Sequence, residues 1–164
     1  MIRKRKVPRI EIVRIVAASI AGLTATLVTG TSQAQPPTRT LVPYRIIGDA
    51  IPAPLDGQHG DPTRGRAVAF DPERGNCTIC HPIPGGKPRQ QGDVGPPLQG
   101  VGGRLTEGQI RLRIVDGTRI NPQTIMPPYH RIDGLERVGP AWRGKPILGA
   151  GEIEDLIAYL RSLK

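Results

Sequence analysis

The sequence predicts a mostly α-helical domain with long loops and an extended N-terminal arm, on three observations. Helix signals, either start and stop residues or apolar residues at helical spacing, occur in three separate stretches. No stretch alternates apolar and polar residues for long enough to read as a strand, and there is no internal repeat. The 18 prolines and 21 glycines among 164 residues imply much irregular chain between few regular elements.

The chain opens on the cationic cluster MIRKRKVPR and is apolar or small from Ile15 to Val28. Ser32-Gln33-Ala34 then fits a small-x-small cleavage site, so residues 1–34 read as a secretory signal peptide removed after Ala34, and the mature chain is expected in the periplasm. The apolar run, about 14 residues, falls short of the roughly 20 that span a bilayer, so no stable membrane span is expected after its removal. Removal leaves 17 of the 23 basic and 13 of the 14 acidic residues, and the net charge drops from +9 to +4. Nucleic-acid binding thereby loses its main compositional argument. The remaining mild positive field suits docking to an acidic partner as well as plain solubility.

Residues 35–60 are rich in Pro and Gly with scattered apolar residues and no lasting period, which predicts an extended arm. Leu41, Val42, Tyr44, Ile46 and Ile47 have no reason to be in a solvated arm, so the arm should lie on its own domain or on a partner. The domain proper is assigned to residues 61–164. Asp61-Pro62 offers an N-cap followed by proline in the first turn, and TRGRAVAF continues a short helix to Asp71-Pro72. Thr106-x-x-Gln109 is a capping box, after which Ile110, Ile114 and Val115 share a face until Gly117. The last helix carries the stripe Ile153, Leu156, Ile157, Leu160 and Leu163. Glu152, Glu154 and Asp155 at its start and Arg161 and Lys164 at its end suit the helix dipole.

One Phe, one Trp and three Tyr are a thin aromatic supply for a core, so the fold needs something else to pack around. Cys77-Thr78-Ile79-Cys80-His81 supplies it. Two thiols three residues apart can reach the vinyl groups of one porphyrin, and an imidazole directly after the second can ligate its iron, so one covalently attached haem c is predicted on Cys77, Cys80 and His81. A structural zinc site would need four ligands, and only His59 and His130 lie outside the motif to complete it. A thioredoxin-like dithiol would normally follow a strand, and none is evident. A disulfide across so small a loop would stabilise little.

The iron then wants a second axial ligand. Met126, in Thr124-Ile125-Met126-Pro127-Pro128, leads, because the prolines after it fix the local backbone. His59 and His130 are the alternatives, His130 only four residues further on. A ligating histidine generally donates its other N–H to a fixed acceptor, and Gly95-Pro96-Pro97-Leu98 is a candidate to present the Pro96 carbonyl. Tyr129 and Trp142 are read as packing residues.

A helix before CTICH, a Gly-Pro-x-Leu segment after it, a Met-Pro loop and a terminal amphipathic helix make the chain resemble class I cytochromes c. That resemblance implies a cytochrome c-like fold in which the first and last helices cross, Pro96 orients the histidine ring and Met126 is the sixth ligand. From about Arg64 onward, GRAVAFDPERGNCTICHPIP, NPQTIMPPYH and RGKPIL leading into EIEDLIAYL resemble the SoxX family of monohaem cytochromes. This implies a heterodimer with a SoxA-like cytochrome subunit, together an L-cysteine S-thiosulfotransferase that oxidatively joins thiosulfate to a cysteine of a sulfur-carrier protein. Contacts with that carrier and with a downstream electron acceptor would be transient. Both cysteines here are committed to haem, so no catalytic residue is assigned to this chain and the reactive thiol belongs on the partner. A free-standing electron shuttle is the competing reading. A haem peroxidase or ligand sensor is a third, and would need an open sixth position.

Overall fold

The computed structural model describes residues 39–164. The expected signal peptide, residues 1–34, and the first residues of the arm lie outside the described residues. Among the described residues four α-helices follow one another: α1 (Pro62–Phe70), α2 (Val101–Arg104), α3 (Glu107–Asp116) and α4 (Ala150–Ser162), with short 3₁₀ turns between them. Among the described residues there is no strand, only an isolated bridge between Ile47 and Ala50. The mostly α reading therefore holds.

Each predicted helix start is present. The Asp61 carboxylate accepts from the Arg64 N–H at 2.8 Å and Pro62 occupies the first turn of α1. Thr106 and Gln109 close their capping box at the head of α3, with side chain to backbone in both directions. Glu152 caps α4 by accepting from the Gly149 N–H at 3.0 Å.

Packing centres on the crossing of α1 and α4. Gly65 of α1 lies so close to α4 that a Cβ there would sit 1.8 Å from the Asp155 carbonyl oxygen, and the two backbones touch without intervening side chains. Val68 and Ala69 on α1 join Ile153, Leu156, Ile157 and Leu160 on α4 and Ile110, Leu112, Ile114 and Val115 on α3 in one core. α2 leans on the end of α4 through Gly102, whose N–H donates to the Leu163 carbonyl at 2.9 Å.

The acidic start of α4 differs from the expectation. Glu152, Glu154 and Asp155 are buried, and they bind partners from distant chain rather than merely facing the helix dipole. Asp155 accepts from the Asp61 N–H and from both Nε and Nη2 of Arg64 at 2.7 Å each. Glu154 receives Nε and Nη2 of the fully buried Arg111 at 2.8 and 2.7 Å. Through that pair the arm is held as well: Arg111 Nη1 donates to the Ile51 carbonyl and the Leu55 N–H donates to Glu154 Oε1. The arm runs over its own domain, Val42, Tyr44 and Ile46 packing against the core while Leu41 and Ile47 face outward.

Candidate functional site

Beyond α1 the chain reverses sharply. The Gly75 N–H donates to the Val68 carbonyl at 3.1 Å and the Asn76 N–H to the Asp71 carbonyl at 3.0 Å. Asn76 adopts a left-handed backbone (φ 47°), which asparagine tolerates better than most residues. A 3₁₀ turn over Cys77–Ile79 follows, closed by the Cys80 and His81 N–H groups, both donating to the Cys77 carbonyl at 3.2 and 2.9 Å. Two thiols and an imidazole are thus presented from one tight turn. Both cysteines are half-buried. Burial pushes the Cys77 thiol up to about 12, so as a free thiol it would stay protonated and a poor nucleophile at neutral pH.

A second segment is laced onto this turn. Gly92 N–H donates to the Thr78 carbonyl (2.9 Å), Gly95 N–H to the Cys80 carbonyl (2.7 Å) and Leu98 N–H to the Pro82 carbonyl (2.9 Å). The Gln91 carboxamide grips Ile83 at both its N–H and its carbonyl. The lacing carries the Pro96 carbonyl to 2.8 Å from His81 Nδ1. A carbonyl can only accept, so Nδ1 holds the proton and the Nε2 lone pair is available for a metal. Gly95 lies against the imidazole, where a Cβ would come within 2.3 Å of the ring. Arg104 steadies the far end by donating to the Pro97 and Gln99 carbonyls.

Met126 lies in the loop after α3, its side chain half-buried against the core and its N–H donating to Thr124 Oγ1 at 3.2 Å. Past Pro127 and Pro128 the chain turns inward, and the Tyr129 and His130 N–H groups cap the end of α3 by donating to the Ile114 and Val115 carbonyls. The Tyr129 hydroxyl donates to the Gly75 carbonyl at 2.8 Å, just ahead of the cysteine turn. Burial weakens its acidity. The structure therefore brings Cys77, Cys80, His81 and Pro96 together and links the Met126 loop to them through Tyr129.

The two histidine alternatives fare differently from Met126. His59 is exposed in the arm. His130 is fully buried with both ring nitrogens engaged: Nδ1 lies 2.9 Å from the Leu148 carbonyl and Nε2 accepts from the Val42 N–H at 3.0 Å. It has no lone pair left to ligate iron. Trp142 is half-buried beneath the Arg39 guanidinium, 5.1 Å from the ring centroid. Sequence reasoning missed Gly95, Gln91 and the bond from Tyr129 to Gly75; of these only the Gly before Pro96 left a local trace.

No group of three or more His, Cys, Asp or Glu side chains among the described residues is arranged to hold a metal ion. A C-x-x-C pair on one turn, an imidazole with its tautomer set and a half-buried thioether instead fit a covalently attached haem.

The family model for cytochrome c matches residues 62–164. A comparison with curated proteins finds no match. Among solved structures, the chain is similar to one titled as SoxXA from P. pantotrophus, with 35% identity and a TM-score of 0.66, over 74% of this chain and 94% of that one. A match over most of the chain, together with a relative at that identity, shows that the chain belongs to the cytochrome c family, whose haem c is covalently bound, and within it to the SoxX type.

Proposed function

We propose that this chain is the electron-transfer subunit of a SoxAX-like complex that oxidatively joins thiosulfate to a cysteine of a sulfur-carrier protein in the periplasm. The observation that carries the reading is the 35% identity to SoxXA across nearly the whole matched chain. One haem would be attached through Cys77 and Cys80, with His81 and Met126 as the residues that would hold its iron and the Pro96 carbonyl orienting the His81 ring. It would supply one-electron exchange, its potential raised by a thioether ligand and tuned by burial.

The reaction sets the division of labour. A carrier thiol and thiosulfate form a sulfur–sulfur bond and release one proton and two electrons, so an acceptor taking one electron at a time must be emptied between steps. This chain has two cysteines, both assigned to thioether bonds. The sulfur-bearing residue therefore belongs to a SoxA-like partner. His81 and the Gly92–Leu98 lacing hold the acceptor side rigid, and a rigid ligand set keeps reorganisation on electron uptake small.

A free-standing shuttle is a second reading, favoured by the seating of Val42, Tyr44 and Ile46 on the chain's own domain, since the arm then needs no partner to cover it. The two separate on one experiment. The mature protein is mixed with thiosulfate and carrier, with and without a SoxA-like partner, and haem reduction is followed spectroscopically. Reduction only with the partner, and binding of the partner by calorimetry, are expected; absence of binding, with the chain monomeric throughout, rejects the complex in favour of the shuttle.

A further inference from the structure

His130 is the one fully buried histidine among the described residues, and the electron-transfer reading gives it no task. Its ring faces a carbonyl at Nδ1 and an amide N–H at Nε2. The carbonyl demands a donor and the amide demands an acceptor, so the ring is neutral and in the Nδ1–H tautomer. Its two partners come from chain far away in both directions. Leu148 precedes α4 and also returns its own N–H to the Tyr129 carbonyl at 3.0 Å, so the ring closes a two-bond clasp on that segment. Val42 lies in the arm, 88 residues earlier, and between Arg39 and Ile46 its N–H makes the one hydrogen bond found among the described residues.

The position in the chain gives the clasp its consequence. Pro127 and Pro128 separate Met126 from Tyr129-His130, and two fixed φ angles leave the intervening backbone little freedom to absorb a displacement. A shift of His130 is passed on to Met126. We propose that His130 is a positioning residue for Met126, fastening the distal loop to the N-terminal arm through Val42 and to the approach of α4 through Leu148. The inference rests on the reading of Met126 as an iron ligand. It adds a task for the arm, which lies outside the matched cytochrome c region and would otherwise serve only as cover.

The test uses the holoprotein with its arm. The near-infrared thioether-to-ferric-iron band reports Met126 on iron, and far-UV circular dichroism reports the helices; both are followed through a urea titration. His130→Asn removes the acceptor at the Nε2 position while an amide can still reach Leu148. Val42→Pro removes the donor without touching His130, and carries the test alone if the histidine variant fails to fold. Val42→Ala keeps the N–H and serves as control. In both disrupting variants the band is expected to disappear well before the helices unfold, with the population lacking it at low urea raised on the order of ten-fold, the scale of one buried hydrogen-bond partner left unmade. The double variant should be no worse than the more affected single one, because both cut the same link. A long-range nitrogen–proton spectrum of the parent should show the Nδ1–H tautomer. Band and helix midpoints that stay together in both variants, additive effects or the other tautomer overturn the inference alone. A parent protein that lacks the band overturns it together with the ligand assignment.

Discussion

Gly95 is pinned from one side and pressed from the other. Its N–H is committed to the Cys80 carbonyl at 2.7 Å, and a Cβ would come within 2.8 Å or less of three atoms of the His81 ring. In Gly95→Ala the imidazole must rotate or the lacing must open, and either movement breaks the contact between Nδ1 and Pro96. The expected result is a loss of about 1–3 kcal/mol in chemical denaturation, the range for overpacking a close contact, accompanied by displaced paramagnetic signals of the His81 ring. A variant with parental signals and parental stability would show that the ring has slack there. The sequence displayed the site unevenly at this scale. The spacing of Cys77, Cys80 and His81 is local chemistry and is readable from five letters, and the Gly-Pro dipeptide flagged a turn. The demand on Gly95 arises only when a ring fifteen positions from Pro96 is folded against it. His130 was readable as a polar side chain near Met126, yet its role depends on Val42 and Leu148, which no spacing rule connects to it.

The helices were legible to the degree that their signals are local. Asp61-Pro62, the Thr106 and Gln109 box and the apolar stripe of α4 each announce a boundary or a face within a few residues. α2 did not, since four residues that include two glycines carry no period, and its N-cap is Gly100 in a left-handed conformation (φ 71°). The crossing of α1 on α4 likewise has no sequence signature beyond a glycine in a short helix. That glycine is where the packing is tightest. Gly65→Ala would place a methyl group 1.8 Å from a backbone oxygen that no rotamer change can move, so the helices must separate along the whole contact. A loss of about 3 kcal/mol in urea denaturation is expected, at the upper end of the usual cost of overpacking. Gly103→Ala is the matched control: its Cβ meets nothing within 4 Å, and the lower entropy of the unfolded chain should stabilise by up to about 1 kcal/mol. Equal effects at the two positions would mean that the crossing yields easily.

At the scale of the molecule, the pattern of apolar residues accounts for one core but not for how the arm joins it. The arm's composition showed that Val42, Tyr44 and Ile46 needed cover, while its lack of period hid where the cover would come from. The core covers those three residues, and the next stretch of the arm is held by charged groups that the sequence presents as ordinary helix-surface residues. Arg111 and Glu154 are 1% and 4% exposed at their side chains, and the pair joins α3, α4 and two backbone groups of the arm at Ile51 and Leu55. Such a pair gives little net stability over a well-packed apolar substitute, yet removing one partner strands the other charge. Arg111→Met should therefore cost about 3–5 kcal/mol by leaving the Glu154 carboxylate buried alone. Adding Glu154→Gln removes that charge and keeps an oxygen for the Leu55 N–H. The double variant should recover most of the loss, retaining a deficit of about 1–3 kcal/mol from the Ile51 carbonyl left without its donor. Equilibrium denaturation of the four proteins in the cycle gives the coupling directly. If the double variant is no more stable than Arg111→Met, the stranded charge is not what destabilises that variant, and the guanidinium holds the arm chiefly by packing and by its bond to Ile51.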